Sequence, residues 1–188
     1  MADADAAEGV RQLLRGLGVP ELAAGPTPER VVSAYRELFA GVGADPQQVF
    51  AETYPASGPD LVAMRGIRVR SVCEHHLLPF TGTVTVAYLP SRRIAGLGAL
   101  PKLVRILAAR PQLQERLTAQ IADALMSGLD ALGSAVVMTA RQGCVSDRGV
   151  GEPEARVTTT ATRGRLRDLT ADELSALVRG TTTDGSGS

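Results

Sequence analysis

The chain has 188 residues, 44% of them hydrophobic, and sets 20 basic against 20 acidic residues for a formal net charge of zero. That length and apolar content suit one globular domain with a sizeable core, and the missing basic surplus, with only 3% aromatic residues and no tryptophan, excludes nucleic acid as a main partner. Two cysteines without a disulfide framework point to a reducing cytoplasm, and the Ala- and Asp-rich start is no secretory signal, while no apolar run is long enough to span a bilayer.

Residues 1–4 are expected to fray. Ala6, Val10, Leu13, Leu14 and Leu17 recur at helical spacing, and Gly16 and Gly18 end that helix. Residues 20–26 read as a linker. Thr27 as N-cap, with Pro28 at the first helical position, starts a second helix. Its apolar face is Val31, Val32, Tyr35, Leu38 and Phe39, closed by Gly41 and Gly43. Residues 45–60 read as a helix fragment and loop, and residues 62–72 as a strand. In a second strand, 80–88, Thr81, Thr83 and Thr85 alternate with Val84 and Val86.

Residues 99–109 read as helical. Pro111 opens a long helix in which Leu113, Leu117, Ile121, Leu125 and Leu129 lie four apart. Glu115 points away from that stripe, as a solvated side chain would. Residues 134–140 form a third strand, a loop carries Cys144 and Arg148, and residues 156–162 form a fourth strand. Residues 169–178 form a short amphipathic helix capped by Thr170, and 181–188 form a polar tail expected to be disordered. This order predicts an α+β fold with an antiparallel four-stranded sheet and helices on one face. It divides into an N-terminal helical region 1–44, a main domain 45–180 and the tail 181–188.

The stretch from Ser71 to Phe80 holds both histidines of the chain, His75 and His76, and one of its two cysteines, Cys73. Thiolate and imidazole are preferred zinc ligands. Cys73 could pair with His75 along an extended strand, or with His76 across a turn. The preceding strand delivers Cys73 to a turn, which favours His76. No closed local finger is available, because the other cysteine, Cys144, is far along the chain. Few protein ligands with an open position is the pattern of a catalytic zinc rather than a structural one.

Cys-Glu-His-His-Leu-Leu-Pro-Phe at 73–80 resembles the signature of the GTP cyclohydrolase I family. The likeness continues in Thr27-Pro-Glu-Arg-Val, in Gln112-Leu-Gln-Glu-Arg-Leu-Thr, in Cys144 followed by Arg148-Gly149, and in the run Thr158-Thr159-Thr160. The resemblance implies the tunnelling fold, in which sheets of several subunits join into a barrel with active sites at subunit boundaries. A homo-oligomer, a decamer by analogy, is therefore expected, with the N-terminal helices packed between subunits. It implies a zinc ion held by Cys73, His76 and Cys144, and a guanine nucleotide as substrate, opened at C8 and carried on to 7,8-dihydroneopterin triphosphate and formate. By the same resemblance His75 does the proton work, Glu115 anchors the guanine, Gln114 is a neighbouring contact, and Arg148 binds phosphate.

Five residues, at three places, depart from the family. Gln142 stands where the family carries a second catalytic histidine, and glutamine cannot exchange a proton near neutral pH. Gly98-Ala99 stands for the family's Ser-Lys at the triphosphate site, with Lys102 for the following arginine. Asp147 sets a negative charge beside Arg148. These losses suggest an alternative form, which opens the ring and releases a formamido- or diamino-pyrimidine from a less phosphorylated guanine compound. Two other classes compete: a tunnelling-fold relative using a cysteine nucleophile with a nicotinamide cofactor, and a non-catalytic purine-binding relative.

Overall fold

A computed structural model describes residues 2–179; the expected tail lies outside them. Three helices come first: α1 (Ala2–Gly16), α2 (Pro20–Ala24) and α3 (Thr27–Leu38). Helix α1 starts inside the stretch expected to fray, and Asp3 in its first turn pairs with Arg36 of α3. Helix α2 occupies the expected linker; Pro20 supplies the fixed φ that a first helical turn tolerates. Thr27 lies inside α3, with Pro26 as the N-cap and no side-chain cap bond. This layer is tied to the main domain where Gly41 N–H donates to Ala109 O at 2.9 Å and the Arg110 guanidinium donates to the carbonyls of Gly41 and Ala44 at 2.7 and 2.6 Å.

A 3₁₀ turn (Pro46–Phe50), capped by the Asp45 carboxylate, leads to the main domain. Its strands are β1 (Thr53–Pro55), β2 (Val62–Cys73), β3 (Pro79–Leu89), β4 (Arg93–Ala95), β5 (Pro111–Gln112), β6 (Gly133–Gln142) and β7 (Val157–Gly164). Its helices are α4 (Ala99–Ala108), α5 (Gln114–Leu129), α6 (Gly143–Ser146) and α7 (Ala171–Arg179). Strands β1 and β4 form a small sheet; the main sheet runs β5-β2-β3-β6-β7. Where the sequence predicts a sheet of four antiparallel strands, the main sheet has five: β2, β3, β6 and β7 pair antiparallel, and β5 pairs parallel to the end of β2. Residues 111–112, read from the sequence as the start of a helix, are this fifth strand, because Gln112 pairs with Cys73 before the chain turns into α5.

Alternation along the strands sets the two faces. Val84, Val86 and Tyr88 of β3 and Val136, Met138 and Ala140 of β6 are buried against α4 and α5. Leu117, Ile121, Leu125 and Leu129 of the α5 stripe are fully buried there, each contributing about 1.5–3 kcal/mol. The expectation of helices on one face alone is corrected by α7. Leu174 and Leu177 pack with Leu166 and Leu169 on Ala87 and Ala135, which point to the opposite face. Those two alanines leave room for a helix, and Arg65 Nε holds it by donating to Leu177 O. Thr170 caps α7 as expected: it accepts from Glu173 N–H at 3.3 Å, while the Glu173 carboxylate accepts from Thr170 N–H at 2.7 Å.

Between β3 and β6 the backbones meet closely at Gly82, where a Cβ would lie 2.0 Å from Thr139 O. Only glycine fits there without pushing the strands apart.

Candidate active site

Strand β2 ends at Cys73 and β3 begins at Pro79, so a tight connection carries Glu74, His75, His76 and Leu77. Cys73 N–H donates to Leu78 O at 2.9 Å and Leu77 N–H to Cys73 O at 2.8 Å. Leu77 turns the chain with a left-handed φ of 53°. The inner side of the turn is held by β5, where Glu74 N–H donates to Gln112 O at 3.0 Å. The buried Gln112 amide donates to Leu107 O and Gln120 Oε1 and accepts from Arg116 Nε at 3.1 Å. Arg116 in turn pairs with Glu74, and that guanidinium holds the Glu74 carboxyl below the usual carboxylate range.

The opposite wall comes from β6. Phe80 pairs with Gln142, so the chain leaves the sheet beside the turn and enters α6. Gly143 permits this approach, since a Cβ there would lie 2.6 Å from Pro79 O. Cys144 follows. The thiols of Cys73 and Cys144 and a ring nitrogen of His76 all lie within 4.8 Å of one another. That spacing fits one ion at bond lengths of about 2.0–2.3 Å with a fourth position open, and the donor set is the one zinc prefers. Of the alternatives the sequence left open, His76 rather than His75 joins Cys73. Burial first, and then the neighbouring Cys73, push the Cys144 thiol up, while Arg148 draws it down.

A cavity of about 240 Å³ opens beside this cluster, lined by Cys73, His75, Gln114, Glu115, Gln142 and Cys144 with Gln112, Leu113 and Val157. A larger cleft of about 510 Å³ between α1 and α3 is lined mostly by apolar side chains and holds no metal-ligand type. Chemistry converges on the smaller one. Glu115, at the first turn of α5, is exposed, and its carboxylate has no ion-pair partner among the described residues. Gln114 is engaged differently. Its amide nitrogen donates to Val157 O at 2.9 Å and reaches Met138 O and Thr159 Oγ1 at 3.2 Å, while its oxygen accepts from Gln142 Nε2 at 2.6 Å. Lys102, on α4, and Arg148, beyond α6, do not line this cavity. The Asp147 carboxylate is taken up by Arg141 and Ser146 rather than by Arg148.

Residues 6–178 match the family model described as GTP cyclohydrolase I. The chain belongs to the GTP cyclohydrolase I family. It is 44% identical over 174 residues to GTP cyclohydrolase 1 of Streptomyces coelicolor, covering 90% of this chain and 87% of that one. It is 48% identical over 155 residues to the Leifsonia xyli protein of the same name, covering 81% of each. With that of Corynebacterium glutamicum it shares 43% identity over 177 residues, covering 91% of this chain and 90% of the relative. Among solved structures, the apo crystal structure of the archaeosine synthase QueF-Like is 19% identical, with a TM-score of 0.46, over 57% of this chain and 97% of that one.

As a member of the GTP cyclohydrolase I family, this protein is a hydrolase acting on a cyclic amidine C–N bond. No helix among the described residues is long and apolar enough to cross a membrane. Sequence reading missed several supports of the site. The Glu74–Arg116–Gln112 chain braces the turn, and Thr118 and Thr159, 2.6 Å apart through their hydroxyls, close the network around Gln114. The signal was present in Gln112, Gln114 and Thr118, polar residues beside an apolar stripe, but their partners lie on other elements.

Proposed function

We propose that this protein is a zinc-dependent GTP cyclohydrolase I, converting GTP to 7,8-dihydroneopterin triphosphate and formate. The observation that carries the reading is the meeting of a Cys73–His76–Cys144 ligand set with His75 and Glu115 around one cavity. A zinc ion held by those three residues would supply a Lewis acid that lowers the pKa of a bound water toward neutrality. Glu115 accepts from the guanine ring N–H and exocyclic amine together, a charge-assisted pair of bonds that adenine cannot offer. His75 donates a proton to an imidazole nitrogen of the purine as water adds at C8, and the C8–N9 bond then opens to a formamide. Imidazole is the side chain most often used for such proton transfer. Gln114 contacts the purine edge through what its amide has left after binding β6 and β7, and so chiefly sets the pocket's shape. Arg148 and Lys102 take the phosphates.

The same reading places the chain in the cytoplasm, in a homo-oligomeric barrel of tunnelling-fold subunits, a decamer by analogy with the family. Sites at subunit boundaries would explain why Lys102 and Arg148 lie outside the cavity of one chain.

A second reading is favoured by one observation. Gln142 sits in the cavity wall with its amide bonded to Gln114, where the family has a proton-exchanging histidine. A chain without that group opens the ring and releases a formamido- or diamino-pyrimidine. Chromatography of products from GTP, GMP, guanosine and guanine with zinc-loaded protein separates the two. Dihydroneopterin triphosphate from GTP supports the first and rejects the second.

A further inference from the structure

The ligand turn receives a hydrogen bond from the N-terminal helices. The Tyr35 hydroxyl of α3 donates to the carbonyl of Leu77 at 2.9 Å. Leu77 is one of two non-glycine residues with positive φ among the described residues, and the left-handed region disfavours a branched side chain. Such a conformation persists where its surroundings over-determine it. Core packing does not supply this, since Leu77 is 43% exposed. What remains is its backbone: the N–H bonded to Cys73 O and the carbonyl bonded to Tyr35. Tyr35 is itself held by its neighbour Phe39, with ring centroids 5.3 Å apart.

His76 immediately precedes Leu77, and its ring nitrogen must stay near two thiols more than two residues away on different elements. A turn that relaxes at Leu77 carries that imidazole away from Cys73 and Cys144, and shifts His75 in the cavity wall with it. We propose that Tyr35 is a positioning residue. It fixes the left-handed end of the ligand turn, so that the N-terminal helices control how firmly His76 is presented to the metal. This rests on the reading of Cys73, His76 and Cys144 as a zinc site and adds a residue that touches neither metal nor substrate.

The test is zinc release from the full-length, zinc-loaded protein into excess chelator, followed by a colorimetric indicator. Tyr35→Phe keeps the ring and its Phe39 contact and removes only the hydroxyl. Release should quicken on the order of 2- to 10-fold, the worth of one hydrogen bond, with zinc content at saturation unchanged. Adding Leu77→Asn, a residue that enters the left-handed region readily, should slow release back toward the wild-type rate. Unchanged release in Tyr35→Phe overturns the proposal, and so does faster release that Leu77→Asn fails to slow, because Tyr35 would then act by general loosening. Wild-type protein that retains no zinc overturns the metal site itself and this inference with it, which distinguishes the two failures.

Discussion

The purine end and the phosphate end of the proposed site are built in different ways. At the purine end, the side chains sit at or just beyond the ends of paired strands: Cys73 closes β2, Gln142 closes β6, and Gln114 and Glu115 open α5 just after β5. Strand register fixes their spacing, and a buried amide network locks Gln114. At the phosphate end the candidates are long cations, Lys102 on α4 and the exposed Arg148 beyond α6, with no wall in common. On the proposed reading, recognition that needs atoms placed within fractions of an ångström would rest on backbone pairing, and recognition of a diffuse negative charge would be left to side chains that reach.

The contrast can be broken most severely at the metal. Cys144→Ala should abolish stoichiometric zinc, read by atomic absorption, and cost more turnover than the about 10–100-fold typical of residues that only support a ligand. Next is His75→Ala, expected to lower kcat by about 10²–10⁴-fold with zinc retained. Glu115→Gln should raise KM by about ten- to a hundredfold, the loss of a hydrogen bond to a charged acceptor, again with zinc retained. Arg148→Ala tests the looser end. It should raise KM for GTP by no more than about fivefold, since exposed ion pairs are weak, and leave guanosine unaffected; a larger effect would mean the phosphate end is as firmly built as the purine end.

The smallest effect belongs to Thr170→Ala, on the face of the sheet away from the cavity. It should lower the melting temperature by roughly 2–4 °C and leave turnover alone. Thr170 N–H and hydroxyl hold the Glu173 carboxyl below its ordinary range. A depressed folded pKa stabilises above the unfolded value, about 4.3, and that contribution fades as pH falls through the folded one. The variant loses only the hydroxyl's bond to the carboxylate and the cap bond from Glu173 N–H, and the second does not titrate. The gap between wild type and variant should therefore narrow without closing in melts run toward pH 3.

Much of this was legible in the sequence because the signals are local or periodic. The Cys-x-x-His turn needs only four residues to announce itself, and Leu117, Ile121, Leu125 and Leu129 mark one buried face. Strands β2, β3, β6 and β7 fall within two residues of expectation. Illegible features depend on partners distant in sequence. Two residues are too few for β5 to show a period; it exists because Gln112 meets Cys73. The amphipathic pattern of α7 says that it packs but not on which face, which the small side chains of Ala87 and Ala135 decide. Tyr35 reads as one more member of an apolar helix face until its hydroxyl is seen against Leu77.

The close approach at Gly82 bears on how such a site can change over generations. Gly82 pairs with Ala140, two residues before Gln142, so a methyl group there would wedge apart the strands that deliver one wall of the cavity. Glutamine and histidine, by contrast, are interchanged by a single-base codon change, and position 142 is only partly buried. On the proposed reading, a change at position 142 would revise the proton chemistry and disturb the scaffold only through the bond to Gln114, while a side chain at Gly82 would part the strands themselves.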